Sequence, residues 1–150
     1  MEDVLRTIGT IARALDSIAN IEFVDIDLTR GQYLYLARIC EQPGIIQEQL
    51  ANQLNVDRAT VARSVQKLEK KNIITRQNDA KNLRIKHLLP TEKGRSVYKT
   101  VKRENDYSTK IAVDGMTDSE ILELSKLLNK MKKNINHSWK YVKDGNKREY

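Results

Sequence analysis

Arg63 lies in the stretch VDRATVARSVQKLEKKN, residues 56–72, flanked by the small residues Ala59 and Ala62. A guanidinium is a planar fork of donors that matches a guanine edge or a phosphate. Small neighbours let a helix backbone come close enough for that fork to reach. Val61, Val65 and Leu68 recur at i, i+4 and i+7 as one side of a helix. At about 100° per residue, Arg63 falls about 200° from Val61, facing away from that side. Thr60 and Lys67 flank the outer face, and Gln47, Arg58 and Ser64 complete a candidate set on two neighbouring helical stretches. A second set, Lys81, Asn82 and Arg84, falls on a polar loop, where long cations can follow phosphates or enter a minor groove. This chemistry is recognition of a polyanion rather than bond-making.

Nothing else in the chain offers a catalytic constellation. The two histidines, His87 and His137, stand in no metal or catalytic motif, and there is no glycine-rich phosphate loop or Ser/Cys nucleophile motif. No catalytic residue, metal ligand or cofactor is therefore expected. Charge agrees with the polyanion. Residues 1–57 hold 4 Lys/Arg against 9 Asp/Glu, residues 58–110 hold 15 against 5, and residues 111–150 hold 8 against 6. The positive field is thus one central block that begins at the Arg63 helix, an electrostatic footprint for nucleic acid.

With 150 residues, 39% hydrophobic and 31% charged, the chain suits one globular domain, with room for an oligomerising extension. It has no run of 18 apolar residues that would cross a membrane, and MEDVLRTIGTIARALDSI is acidic at its start, unlike a secretory signal. A lone cysteine, Cys40, excludes an internal disulfide and fits a reducing cytoplasm.

The elements that must position the two sets follow from periodicity and punctuation. A helix over 2–20 carries a narrow seam of Val4, Ile8, Ile11, Leu15 and Ile18. Thr29-Arg30-Gly31-Gln32 reads as a capping box that opens a second helix, YLYLARIC, which ends near Gln42-Pro43-Gly44. A short helix over about 45–53 turns Ile46, Leu50 and Leu54 inward, Asn55 supplies a tight turn, and Asp57 caps the Arg63 helix. IITRQ (73–77) and RIKHLL (84–89) read as strands of a hairpin around the loop NDAKNL. Thr91 caps a helix over 92–112, Gly115 breaks it, and the capping box Thr117 to Glu120 opens a last helix with a seam of Ile121, Leu124, Leu128, Met131 and Ile135. Lys70 and Lys71, at the end of the Arg63 helix, read as solvated cations. Two helices, a tight turn and a hairpin make a winged helix-turn-helix, in a fold that is mainly α with a small β-hairpin wing. Two apolar seams flanking one small core call for burial in a dimer.

The stretch VDRATVARSVQKLEKKNIITRQNDAKNLRIKHLLPTEKG, residues 56–94, resembles the MarR/SlyA family of bacterial winged helix-turn-helix transcriptional regulators. The matching motifs are Leu68-Glu69-Lys70-Lys71-Asn72, Ile74-Thr75-Arg76, Asn82-Leu83-Arg84 and Pro90-Thr91-Glu92-Lys93-Gly94, with LTRGQYLYL (28–36) and MTDSEI (116–121) similar to the openings of the family's second and last helices. The resemblance implies a single domain over 1–150. Within it, about 28–90 is the DNA-binding part, and about 1–20 and 91–145 are dimerisation helices. It also implies a homodimer on a pseudo-palindromic operator of double-stranded DNA, with recognition helices in major grooves and wings in minor grooves. The protein would be a repressor released by a small phenolic or anionic effector, for which Arg13, Tyr33 and Tyr98 are candidate contacts. Three positions depart from the pattern: Asn72 stands for Gly, Asn82 for Asp, and Leu83 for a commonly basic residue.

Two other functions compete. A redox-sensing regulator would work through Cys40, but Cys40 falls in an apolar run rather than in the first helix. A winged-helix module for protein contact would need a hydrophobic outer face on the Arg63 helix, where this one is small and cationic.

Overall fold

The computed structural model describes residues 3–29 and 31–150. In chain order the elements are α1 (Val4–Glu22), α2 (Gln32–Glu41), β1 (Ile45–Ile46), α3 (Gln47–Leu54), α4 (Arg58–Lys70), β2 (Ile74–Asn78), β3 (Lys86–Pro90), α5 (Glu92–Ala112) and α6 (Asp118–Lys143). Met1, Glu2 and Arg30 lie outside the described residues, and with them the expected helix start at residue 2 and one position of the Thr29–Gln32 box.

Helix starts fall where side chains can cap them. Asp57 Oδ1 accepts from the Thr60 amide at 2.8 Å, and Thr91 Oγ1 from the Gly94 amide at 3.0 Å. Thr117 and Glu120 form the full reciprocal box that opens α6. The box at Thr29 does not form. Gly31, at φ 77°, is the N-cap of α2, and the Gln32 side chain turns inward. Asn55, at the tight turn, has φ 52°, and Asn72, in place of glycine, φ 57°, so both are left-handed.

The fold is mainly helical, with a winged helix-turn-helix at its centre. Its core runs from Phe23 and Leu28 through Leu36, Ile39, Leu50, Val61, Val65 and Leu68 to Ile74, Leu88 and Val101. The sheet has three strands rather than two, in the order β1-β3-β2, all antiparallel. Ile45 pairs with Leu88 and Ile46 with His87, so Ile46 is a strand residue and α3 begins only at Gln47. The wing strands are shifted from 73–77 and 84–89 to 74–78 and 86–90, because Arg84 and Ile85 belong to the loop.

Several contacts hold the two ends of α4. At its end, the Ile73 carbonyl accepts the Thr91 amide at 3.0 Å, and the Thr91 hydroxyl lies 2.7 Å from the Asn72 carbonyl. A Cβ on Gly94 would stand 2.1 Å from the Ile73 oxygen, so only glycine lets α5 start there. Lys71 is not the solvated cation its sequence context suggests. Its Nζ donates to the Asp27 carbonyl at 2.6 Å and to Gln32 Oε1 at 2.7 Å, and it pairs with the Asp27 carboxylate at 3.2 Å. The turn before α4 has its own tie, from Asn55 Nδ2 to Asn136 Oδ1 on α6 at 2.6 Å.

Gly94→Ala should lower the free energy of unfolding by about 1–3 kcal/mol through overpacking. Urea denaturation measures this, and an unchanged midpoint would mean that the junction yields. Lys71→Met should cost about 1–3 kcal/mol by leaving the buried Gln32 without its donor. Lys70→Met, at an exposed position, should stay within about 0.5 kcal/mol. Equal destabilisation in the two variants would refute the anchor.

Candidate nucleic-acid interface

The Arg63 side chain is held by its own helix. Asp57 Oδ2 accepts the Thr60 hydroxyl at 2.8 Å, and that hydroxyl in turn accepts from Arg63 Nη2 at 3.2 Å. The Thr60 amide and hydroxyl hold the Asp57 carboxyl below the usual carboxylate range, so the chain Asp57–Thr60–Arg63 is charged and connected at neutral pH. Arg58, Ala59, Arg63 and Lys67 are exposed, with Thr60, Ala62 and Ser64 half-buried beside them. The outer face of α4 is therefore small at its centre and cationic along its length.

Beside that face runs an open groove of about 320 Å³, lined by Ile46, Gln47, Glu48, Arg58, Arg76, Arg84, Ile85 and Lys86. It brings together three sequence-predicted residues from three elements: Gln47 at the start of α3, Arg58 at the start of α4, and Arg84 of the wing loop. Arg76 and Lys86 also line it, and neither stood among the candidates. Period two could have found them. The alternation that buries Ile74 and Leu88 continues to Arg76 on β2 and to Lys86 on β3. Arg76 Nε lies 2.8 Å from Glu69 Oε2, but its N–H axis misses the carboxylate, so this buried nitrogen donates no hydrogen bond. Glu48 answers Arg58 at 3.4 Å between exposed side chains, a weak pair. Four cations thus face one open channel with little opposing charge inside it.

The wing loop is shaped by its own side chains. Asp79 Oδ2 accepts the amides of Lys81 and Asn82, each at 3.0 Å, and Asn82 Oδ1 accepts the Arg84 amide at 3.0 Å. Asn82 therefore turns its oxygen into the loop, and the orienting carboxylate comes from Asp79. Lys81, Asn82, Leu83 and Arg84 are exposed at the tip.

The candidate effector residues each have a different partner. The Arg13 guanidinium lies over Gly9 on α1, Tyr33 donates to Asp16 Oδ1 at 2.7 Å, and Tyr98 donates to Glu41 Oε1 at 3.1 Å. Tyr33 ties α2 to α1 and Tyr98 ties α5 to α2, and burial, then the carboxylate bond, pushes Tyr98 up to about 12. Burial pushes the Cys40 thiol up to about 11, which keeps it protonated at neutral pH and poorly suited to oxidant sensing. Among the described residues no cluster of His, Cys, Asp or Glu could hold a metal ion, and no helix is long and apolar enough to cross a membrane.

The MarR family model matches residues 28–86, from the last residues before α2 to the first residue of β3. The HTH-type transcriptional regulator YybA of Bacillus subtilis (strain 168) is 57% identical over 150 residues, covering 100% of both chains. A MarR family transcriptional regulator from Listeria monocytogenes, solved in complex with 26mer DNA, superposes with a TM-score of 0.97 at 51% identity, with both chains covered in full. The crystal structure of the transcriptional regulator SlyA superposes with a TM-score of 0.90 at 52% identity, over 93% of this chain and 99% of that one. With that identity over its whole length, and with the helix-turn-helix, wing and capped α5 described above, the chain belongs to the MarR family of transcriptional regulators.

Proposed function

We propose that this protein is a sequence-specific, double-stranded DNA-binding repressor that works in the cytoplasm as a homodimer on a pseudo-palindromic operator. The observation that carries the proposal is the convergence of α3, α4 and the wing on one cationic surface, with Arg58, Arg76, Arg84 and Lys86 around a single groove. The solved 26mer DNA complex of a relative that superposes at 0.97 supports it.

In this reading α4 enters the major groove. Ala59 and Ala62 permit the approach, and the Arg63 fork meets a guanine O6/N7 edge. Thr60 and Ser64 offer short hydroxyls, while Gln47, Arg58 and Lys67 hold phosphates on either side of the groove. Lys81, Asn82 and Arg84 carry the wing to the flanking minor groove, whose narrow width concentrates negative potential. The two apolar seams supply the partner. Val4, Ile11, Leu15 and Ile18 of α1 and Leu124, Leu128 and Ile135 of α6 are each 38–52% exposed in the protomer, far more contiguous apolar surface than a monomer leaves bare. A second copy packed on them, through about 1–20 and 91–145, sets two α4 helices about 34 Å apart, one turn of DNA.

Selection of bound fragments from genomic DNA tests the whole reading. A palindrome with half-sites one turn apart is expected, and enrichment without symmetry would refute the dimeric operator. Repeating the selection with phenolic acids tests release by an effector. Arg63→Ala should cost about 1–3 kcal/mol at the selected site and relax base preference there. Unaltered affinity would remove Arg63 from the readers. Lys81→Ala and Arg84→Ala should each make the slope of log affinity against log salt shallower by about 0.9, the effect of one phosphate no longer neutralised. An unchanged slope would take the wing off the backbone.

A further inference from the structure

His87 sits in β3 opposite Gln77 of β2 and Ile46 of β1. Its Nδ1 lies 2.7 Å from the Gly44 carbonyl oxygen and its Nε2 2.7 Å from Asp79 Oδ1. Both partners only accept, since one is a backbone carbonyl and the other a carboxylate. The ring can satisfy both only with a proton on each nitrogen. A neutral ring has one N–H, and its second contact becomes lone pair against oxygen. The other Asp79 oxygen holds the amides of Lys81 and Asn82. One imidazole thus joins the backbone just before β1 to the loop that carries the wing tip.

We propose that His87 is the positioning residue of the wing: as an imidazolium it clips Asp79, and through it the Lys81–Arg84 loop, to the backbone at Gly44, and so sets where the wing meets DNA. This last clause rests on the DNA-binding reading, whereas the clip itself is a property of the free protein. Asp79 is the charge that acts on the ring. The facing residues Gln77 and Ile46 are uncharged, and the neighbouring Lys86 has its ammonium on Asn78 Oδ1. The Asp79 hydrogen bond, then the Gly44 carbonyl, raises the His87 pKa above its ordinary 6.5, and the His87 bond holds the Asp79 carboxyl low. A group with a raised pKa contributes fully below its ordinary value and loses that contribution as pH climbs through the raised one. The clip is therefore closed below about 6.5 and opens on the alkaline side of it, while Asp79 stays ionised throughout.

Imidazole NMR of the full chain, in the His137→Gln background so that one ring is followed, tests the clip without DNA. His87 should titrate above 6.5, its midpoint should fall toward the ordinary value in Asp79→Asn, and the Lys81 and Asn82 amides should lose protection as pH crosses it. A His87 midpoint at or below 6.5, or loop amides indifferent to it, overturns the clip. On duplex DNA at fixed ionic strength, affinity should fall as pH rises through the same midpoint. His87→Gln should bind about fivefold more weakly, the equivalent of one hydrogen bond fewer, with that pH step gone. A His87→Gln protein that keeps wild-type affinity and pH profile overturns the positioning role. A clip that titrates as expected in a protein with no affinity for DNA overturns the functional reading instead.

Discussion

The Ile73 carbonyl is the point on which the rest of the structure turns. The amide of the same residue donates to the Leu68 carbonyl and closes the end of α4, and the Ile73 carbonyl, one residue before β2, receives the amide of Thr91, where β3 has just ended and α5 starts. Gly94 is packed against the same oxygen with no room for a side-chain carbon. α4, the wing and the long α5 therefore leave one small knot in fixed directions. The spacing Thr91-x-x-Gly94 has its physical cause here. The threonine caps α5 and bonds back to the Asn72–Ile73 peptide groups, and the glycine one turn later gives the clearance those bonds require. Asn72 fits the same knot because it must be left-handed, the one conformation its amide side chain tolerates better than most.

A second knot opposes the first across α4. Lys71 reaches the Asp27 carbonyl and the buried Gln32, so the last turn of the recognition helix is bonded to the link between α1 and α2. On the other side Asn55 holds the turn before α4 to Asn136 of α6. The end of α4 is thus bonded to α2 and the link before it, and the turn that precedes α4 is bonded to α6. The direction of α4 within the protomer is thereby held by hydrogen bonds at both ends as well as by packing.

What could be read in the sequence was local, and what escaped was long-range. The caps at Asp57, Thr91 and Thr117 and the left-handed Asn55 and Asn72 depend on a few neighbouring residues, and all are as their residue types imply. The box at Thr29 fails because Gln32 has a better partner 39 residues away, in Lys71. β1 escapes a reading by period because two residues have none, and Ile46 also suits the inner face of a helix. Arg76 and Lys86 escape because cations on a strand look solvated until the opposite wall, at Gln47 and Arg58, is known. The wing loop is the converse case. Asn82 seems to leave an arginine without its carboxylate, yet Asp79 three residues earlier supplies the charge that orders the loop.

The state of the side chains before binding bears on how tightly this surface can hold a polyanion. Arg63 is already tethered through Thr60 to Asp57, so part of the rotamer entropy, up to about 2 kcal/mol for a free arginine, has been given up in folding. Arg58 is held only by Glu48, at 3.4 Å with side chains 77% and 63% exposed, and such a pair contributes under about 1 kcal/mol. A phosphate entering the groove can replace that carboxylate at small cost. Arg76 is different again. Its Nε is buried 2.8 Å from Glu69 Oε2, so this cation is already ion-paired before anything enters the groove. The surface thus combines a tethered arginine on α4 with one loosely paired and one closely paired arginine in the groove beside it. The wing differs from α4 in where its order lies, since its exposed cations extend from a loop whose backbone is held by three hydrogen bonds to its own side chains.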